Sequence, residues 1–348
     1  MPSALIHYFS GTGNSYHAAT VVERRLKEAG YTVEWQQVDR GTRPPEGNFD
    51  LHLFTFPVYA CDMPDIIARY IWKLPPGKNV KAAVIAINGS FHPTARVPGV
   101  QGDPGWSFDH AWLILRLKGY DVVMADAAPY TVAIRIVLPI PGEERQSEIR
   151  ELGDRRVDWL AEKLVRGERS VRHNLLLAFL YVPFGLAYGL VGRHILAKLY
   201  VADGKCNGCG TCVKTCPAGV VRLAGGRPGW DWRCQGCMRC INICPRKAIN
   251  TSIPRVVLLV GILLLPAEWI FAAISQAGIV FPAGNAGMFL SWLAALLSYL
   301  ALLYLADKVI FLLERIPIVR NLMAVNFNWW YRQYIDRGFW NRIIKGGR

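Results

Sequence analysis

Charge is missing from a long part of this 348-residue chain. Residues 256–306 contain no Lys or Arg and a single carboxylate, Glu268. Within them, Val256 to Ala277 and Ala286 to Ala306 are each long and apolar enough for a helix to cross a hydrocarbon core of about 30 Å. The linker between them is short, so the two segments predict an α-helical transmembrane hairpin. A hairpin buried in a protein core is the alternative, and two such uninterrupted spans disfavour it.

The sequence also lacks the signatures of several common classes. The loop after its first apolar run has neither the third glycine of a dinucleotide fingerprint nor a Walker lysine, and no second nucleotide fingerprint appears. Direct oxidation of NAD(P)H is therefore not expected. The seven histidines are scattered, and none is given a role. No cleavable signal peptide is expected at the start, which disfavours a secreted, disulfide-stapled class.

Cysteine, in contrast, is concentrated in two copies of the pattern C-x2-C-x2-C-x3-C-P, which hold eight of the nine cysteines. This is the spacing that binds a pair of cubane iron–sulfur clusters, in which the fourth cysteine of each run ligates the other cluster. The predicted ligands of one cluster are Cys206, Cys209, Cys212 and Cys244. Those of the other are Cys234, Cys237, Cys240 and Cys216.

Zinc and disulfides are the alternatives for these cysteines. Structural zinc sites use cysteine pairs with a longer spacer, and disulfides suit small secreted domains, so both are disfavoured. Residues 201–252 thus resemble a bacterial-type two-cluster ferredoxin, a small α+β domain. The resemblance implies reduced cysteines in a cytoplasmic, anaerobic setting. The ninth cysteine, Cys61, is expected to be a small buried hydrophobe.

The amino-terminal half begins with an apolar strand, a tight loop and a helical pattern that runs to Gly30. The loop places hydroxyls and free N–H groups at a helix N-terminus, which suits an anion. Its string S-x-T-G-N-S resembles the FMN phosphate loop of flavodoxins. The resemblance implies cofactor contacts from Ser10, Gly11, Thr12, Gly13, Asn14 and Ser15.

Further apolar runs alternate with helical stretches and predict an α/β, flavodoxin-like, doubly wound parallel sheet. Strands are predicted near Tyr31–Val38, Asp50–Phe56, Val80–Asn88 and Asp121–Ala125, and a last helix over Glu144–Val165. The Gly- and Pro-rich segment Thr94–Trp106 is interpreted as a loop, and its composition fits a lid, a loop that docks a partner or a plain loop equally.

Two more loops follow strands at the edge of the sheet where ligands bind. In flavodoxin-like proteins such loops flank the isoalloxazine ring. The resemblance implies contacts from Pro57, Val58, Tyr59, Asn88, Gly89, Ser90 and Phe91. Tyr59 is the candidate for stacking on the flavin, and an ordinary loop aromatic is the alternative.

The excess of positive charge flanks the apolar segments. Residues 1–167 carry 19 basic and 19 acidic residues, whereas residues 168–255 carry 13 basic against 3 acidic, and residues 307–348 carry 8 against 3. Such flanks favour a cytoplasmic location beside anionic lipid headgroups. Nucleic acid is not an expected partner, because the first half is neutral and membrane spans are present.

Three membrane-related features are ambiguous. Leu175 to Gly192 is apolar but contains Pro183, and a re-entrant or surface-lying segment is favoured over a crossing. The tail from Phe311 to Arg348 mixes aromatic residues with arginines, which suits an interfacial helix or a helix that docks on a partner. Glu268 is interpreted equally as a proton-uptake group near a quinone and as a neutral carboxyl beside Pro266.

Together the motifs resemble a flavodoxin–ferredoxin fusion family, over roughly residues 1–170 and 200–252, with an added carboxyl-terminal membrane anchor. The expected parts are a flavodoxin-like FMN domain (1–168), a re-entrant or interfacial segment (169–199), a ferredoxin domain (200–253), the transmembrane hairpin (254–308) and a basic aromatic tail (309–348).

The resemblance implies a multi-pass membrane protein that transfers electrons through FMN and two 4Fe–4S clusters on the cytoplasmic side. The expected partners are a soluble carrier of the ferredoxin or flavodoxin type and a quinone or membrane-bound reductase. One alternative is an electron-delivery subunit of a membrane-bound reductase, without substrate turnover of its own. Whether the chain is itself an enzyme, of the oxidoreductase type, is left open.

Overall fold

The computed structural model describes residues 1–92, 104–134, 140–173, 175–326 and 332–345. Residues 94–103 of the predicted loop therefore lie outside the described parts. Six parallel strands form one sheet in the order β2-β1-β3-β4-β5-β6. The strands are β1 Ser3–Tyr8, β2 Thr32–Gln37, β3 Leu51–Pro57, β4 Lys81–Ser90, β5 Asp121–Thr131 and β6 Ser170–Val171.

Helices cover both faces of this sheet, which is why its central strands read as continuous apolar runs. One face packs against α1 and α4, and the other against α2 and α3. The helices are α1 Asn14–Glu28, α2 Asp65–Lys73, α3 Ser107–Leu117 and α4 Glu143–Val165. A strand order of 2-1-3-4-5 is that of flavodoxin-like doubly wound folds, so the predicted fold class is confirmed.

Strand β5 is longer than the sequence predicts. It continues past Ala125 to Thr131, although Asp126 is a poor strand residue. The structure shows why the aspartate is tolerated: its carboxylate is buried and accepts hydrogen bonds from Arg156 at 2.7 Å and from the N–H of Ala127. The extension carries the end of β5 alongside the end of β4, where the carbonyl oxygen of Thr131 accepts a hydrogen bond from the side chain of Asn14 at 2.8 Å.

The cysteine-rich part is a small α+β domain, as predicted. Two short antiparallel strand pairs and two short helices surround the cysteines. The elements are β7 Tyr200–Ala202, α7 Thr211–Lys214, β8 Val221–Ala224, β9 Arg227–Trp230, α8 Arg239–Ile243 and β10 Ile249–Thr251. Gly225 and Gly226, with φ values of 57° and 76°, form the β8–β9 turn, which requires left-handed backbone.

The apolar segments form five helices, α5 Leu175–Ala187, α6 Arg193–Lys198, α9 Ile253–Leu263, α10 Ala267–Gln276 and α11 Asn285–Leu313. A π-helical turn, Tyr188–Gly192, joins α5 to α6. Among the described residues, Phe179–Lys198 and Asn285–Leu313 are long and apolar enough to cross a membrane.

The predicted span from Val256 to Ala277 is not one continuous helix. Helices α9 and α10 meet at an angle of 66°, as in a broken span or a re-entrant loop. Pro266 immediately precedes α10; it has no N–H to donate and disfavours helix at the residue before it, so α9 cannot continue through this point. Helix α5, by contrast, runs through Pro183.

Four buried charges join the helices to the ferredoxin domain. The Lys198 ammonium lies 2.9 Å from the Asp307 carboxylate, and the Arg255 guanidinium lies 2.7 Å from Glu314 and 3.5 Å from Asp307. Each charge is paired, as burial requires, and the two cations also donate to the backbone carbonyl oxygens of Trp230 and Lys198. This arrangement fixes the ends of α6, α9 and α11 against one another.

The carboxyl-terminal tail contacts the flavodoxin-like domain, and its location at a membrane interface stays a prediction. After α12 Pro317–Met323, its described part, residues 332–345, includes α13 Arg337–Lys345 and packs on the flavodoxin-like domain. Tyr334 and Phe339 are buried, and the Phe339 ring lies 5.6 Å from that of Tyr16 in α1. The aromatic residues Trp329, Trp330 and Tyr331 fall outside the described residues.

Candidate cofactor sites

The S-x-T-G-N-S loop connects β1 to α1 and lines a cavity at the carboxyl ends of the parallel strands, here called the loop cavity. The Ser10 hydroxyl accepts a hydrogen bond from the N–H of Gly13 at 3.0 Å. Gly13 has a φ of 111°, a backbone conformation that favours glycine, and α1 begins at the next residue. The loop therefore brings the positive end of α1 to the edge of the sheet.

Most of the predicted cofactor residues line this cavity. They are Ser10, Gly11, Thr12, Asn14, Ser15, Pro57, Val58, Tyr59, Asn88 and Gly89. Gly13, Ser90 and Phe91 are not among the lining residues; the buried Ser90 hydroxyl instead donates to the carbonyl oxygen of His92 at 2.9 Å. Sequence reasoning missed Ile87 in β4, and it missed the residues from Thr131 to Ile134 because β5 was expected to end earlier.

Tyr59 is held at the cavity wall by a tight turn. Its N–H donates to the carbonyl oxygen of Asp62 at 2.8 Å, and the two residues between them, Ala60 and Cys61, have positive φ values. The ring packs edge-on against Phe9, and burial raises the pKa of the hydroxyl well above its usual value. Its role in stacking on a flavin stays a prediction.

The second cysteine run forms the opposite wall of the loop cavity through Gly236, Cys237 and Met238. The approach is close: a Cβ placed on Gly11 would collide with the carbonyl oxygen of Cys237. Sequence reasoning did not foresee this contact between the two domains.

Arg239 secures that contact. Its guanidinium is buried and donates to the carbonyl oxygens of Ser10 at 2.6 Å, Gly11 at 3.2 Å and Thr215 at 2.8 Å. The side chain also lies over the ring of Phe339, 5.1 Å from its centroid. Two loops with different predicted cofactors are thereby held together by one charged side chain.

A segment of the carboxyl-terminal tail also lies across the contact between the two domains. The Tyr334 N–H donates to the Asn242 side chain in α8 at 3.0 Å, and the Tyr334 hydroxyl donates to the Asn14 side chain. The Asp336 N–H donates to the carbonyl oxygen of Thr12 at 2.8 Å. The strap, residues 333–336, therefore connects the ferredoxin domain to the phosphate loop.

The cysteines group in space across the two runs. Cys206, Cys209, Cys212 and Cys244 line a single small cavity. Burial raises the pKa of Cys212 to about 11, with Cys244, Cys206 and Cys209 adding to the shift as its close neighbours. The fourth cysteine of the second run thus lies with the first three of the first run.

The other four thiols form a more buried group. Burial raises the pKa of Cys240 well above its usual value, and Cys234, Cys237 and Cys216 are the nearby thiols that add to the effect. Cys234 and Cys240 are buried, whereas Cys209 of the first group is exposed. The two groups differ in their access to solvent.

These residues fit the cofactors that the sequence implies. Ser15 is fully buried at the cavity, and its hydroxyl oxygen has no hydrogen-bond partner among the described residues, as expected of a group that binds a ligand phosphate. All eight thiols of the two groups are free of disulfides. Across the described parts of the chain, no three His, Cys, Asp or Glu side chains converge on a single metal ion.

A doubly wound sheet with this loop, joined to a domain with two groups of four cysteines, defines a flavodoxin–ferredoxin fusion. Residues 205–249 match the family model described as a 4Fe-4S dicluster domain. The chain is thus an iron–sulfur electron-transfer protein with a flavodoxin-like domain. A comparison with curated protein sequences found no match.

Solved structures similar to the amino-terminal part include flavodoxins. Flavodoxin 1 of Bacillus cereus is 18% identical over 43% of this chain and 94% of its own, with a TM-score of 0.29. Megasphaera elsdenii flavodoxin is 19% identical over 44% of this chain and 98% of its own, with a TM-score of 0.28. A mutant flavo di-iron protein of Thermotoga maritima is 12% identical over 47% of this chain and 35% of its own, with a TM-score of 0.32.

Proposed function

We propose that this chain binds FMN and two 4Fe–4S clusters and transfers electrons between a soluble low-potential carrier and a membrane acceptor, either a quinone or a membrane-bound reductase. The observation that carries the proposal is the shared wall of the loop cavity. Cys237 lines the same cavity as Ser10 and Thr12, so a flavin bound to the loop would lie beside a predicted cluster ligand.

The chain's own groups suit such a flavin. The hydroxyls of Thr12 and Ser15 and the N–H groups at the start of α1 are placed to bind its phosphate. Tyr59 and Asn88 border the rest of the cavity and would orient the ring and limit its contact with water. When bound, FMN exchanges one or two electrons and each 4Fe–4S cluster exchanges one.

The two cysteine groups support an order of sites. The buried group, which contains Cys237, adjoins the loop cavity, whereas the group that contains Cys209 reaches the surface. A partner protein would exchange electrons with the exposed group, because electron transfer needs close approach of the two centres. The direction of flow is not part of the proposal.

A membrane location is supported by the apolar helices. Leu264 in the α9–α10 bend and Leu297 in α11 are 75% and 57% exposed, a state that water disfavours. The basic flanks of these helices would meet anionic headgroups on the cytoplasmic side. We include anionic lipid, a ferredoxin- or flavodoxin-type carrier and the membrane acceptor as proposed partners.

Cofactor analysis and flash photoreduction of the anaerobically purified full-length protein test the proposal. About eight irons and one FMN are expected per chain. After a light pulse reduces the flavin, cluster absorbance should bleach as flavin absorbance recovers, at a rate independent of protein concentration. Zinc in place of iron, or a rate proportional to protein concentration, would contradict an internal electron path. The Cys61→Ser variant, which lies outside both cysteine groups, should behave as the wild type.

A further inference from the structure

A second cavity lies on the far side of the loop that carries the second cysteine run. We call it the basic cleft. Three parts of the chain form it: residues 39–42 with helix α2, the start of α6, and residues 218, 233 and 235 of the ferredoxin domain. Its volume is about 430 Å³, within the usual range for ligand pockets. It shares no lining residue with the loop cavity.

Positive charge dominates the lining. Five cationic side chains, Arg40, Arg69, Lys73, Arg193 and Arg233, face two carboxylates in one concave site. A surface with this surplus of like charge is destabilised by repulsion unless an anion or solvent offsets it. The composition therefore favours an anionic ligand.

The carboxylates pair with only some of these cations, and Arg233 pairs at 2.8 Å with Asp231, which does not line the cleft. Asp65 is shared by two arginines, with its oxygens 3.0 Å from the Arg69 guanidinium and 2.9 Å from that of Arg193. Burial raises the pKa of Asp39, and one of its carboxylate oxygens has no hydrogen-bond partner among the described residues. Within the described ranges, Arg40 and Lys73 form no ion pair and remain available to a ligand.

We propose that the basic cleft binds a phosphate-bearing anion. Guanidinium groups match the geometry of phosphate oxygens, and a lysine adds a compact charge. The same cations would hold the phosphate of a phospholipid headgroup or a free phosphate. The proposal does not depend on electron transfer.

Binding of two probes to the full-length protein in neutral detergent tests the cleft. One probe is pyrophosphate, followed by calorimetry with sodium chloride at equal ionic strength as reference. The other is phosphatidylglycerol in mixed micelles, with phosphatidylcholine as reference, followed by the melting temperature. Both measurements report binding without any need for redox activity.

The Arg40→Gln, Lys73→Gln double variant removes the two unpaired cations. Affinity for the bound probe should fall at least about tenfold, because two charge-assisted contacts are lost. Arg43→Gln, Lys78→Gln removes the same charge from exposed positions outside the cleft, and its affinity should stay within about twofold of the wild type.

The two probes identify the source of the phosphate. A response to phosphatidylglycerol alone supports a lipid headgroup, and a response to pyrophosphate supports a soluble phosphate ligand. The proposal is overturned if neither probe exceeds its reference, or if the cleft variant and the matched control lose equal affinity.

Discussion

The guanidinium of Arg239, one residue before Cys240, donates a hydrogen bond to the carbonyl oxygen of Ser10 at 2.6 Å. Ser10 opens the predicted phosphate loop and Cys240 is a predicted cluster ligand. Because the same guanidinium also binds Gly11 and Thr215, it fixes the distance between the two domains where their predicted cofactors come closest.

The Arg239→Gln variant should loosen this junction. Loss of the guanidinium leaves three carbonyl oxygens with fewer donors in a buried place, and a cost of about 3 kcal/mol is expected. The melting temperature and the FMN content per chain should both fall. Arg222→Gln changes an exposed arginine of the same domain, outside both cofactor cavities, and should leave both unchanged. Equal behaviour of the two variants would argue against a role for Arg239 in the junction.

Ser15→Ala should weaken FMN binding without harming the fold. The Ser15 hydroxyl has no hydrogen-bond partner among the described residues, so its removal costs the apoprotein little. A hydrogen bond to a charged phosphate is worth about 1.5–3 kcal/mol, and the dissociation constant should rise about tenfold or more. Fluorescence titration of the apoprotein with FMN measures this.

Ser107→Ala provides the matched control for that experiment. Ser107 is also fully buried with an unpartnered hydroxyl, but it lies at the start of α3, away from the loop cavity. The dissociation constant of the Ser107→Ala variant for FMN should equal that of the wild type. If Ser15→Ala also binds FMN normally, the hydroxyl does not contact the phosphate.

Substitution of Cys244 should damage the cluster of the first run. Cys244 belongs to the second run in sequence but lines the cavity of Cys206, Cys209 and Cys212. The Cys244→Ser variant should therefore lose or alter the electron paramagnetic resonance signal that Cys209→Ser also affects. Cys216→Ser should match Cys240→Ser instead. If Cys244→Ser instead affects the same signal as Cys240→Ser, and Cys216→Ser the same signal as Cys209→Ser, the crossed ligand sets are wrong.

The flavodoxin-like domain should lose stability on acidification. His7 and His52 are hydrogen-bonded to each other at 2.8 Å in the sheet, and burial lowers the pKa of both, that of His52 to about 4. The folded state therefore favours the neutral rings. Their contribution is complete above the unfolded pKa of about 6.5 and is lost as the pH falls from there towards 4, by up to about 1.4 kcal/mol per pH unit for each ring.

Melting temperatures between about pH 7.5 and pH 5 measure this dependence. His52→Gln removes one titrating ring and keeps a hydrogen-bonding side chain, so its melting temperature should change less with pH than that of the wild type. His92→Gln, outside the buried pair, should keep the wild-type dependence. An unchanged dependence in His52→Gln would exclude the pair as the cause.

The sequence predicted features that depend on local patterns. Apolar runs and the loop string located the sheet and the phosphate loop, and cysteine spacing located the ferredoxin domain. The break between α9 and α10 was not predicted, although Pro266 stands within the apolar run. Pro183 shows the limit of that rule, since α5 continues through it.

Contacts between distant parts of the chain could not be predicted in this way. Tyr334 and Asn14 are 320 residues apart, and Arg239 and Ser10 are 229 apart. Periodicity and motifs report what a segment forms, not which other segment it meets. The same reason hid Cys237 from the predicted flavin site and hid the contacts of the tail with the flavodoxin-like domain.

The strap has a consequence for the order in which the protein matures. The phosphate loop lies within the first 15 residues, yet its contacts with Tyr334 and Asp336 come from residues that follow every apolar helix. Domains generally fold in the order of synthesis, so the amino-terminal domain should form while the ribosome is still producing the helices. Its predicted cofactor loop would then receive its last supports only after those helices are made.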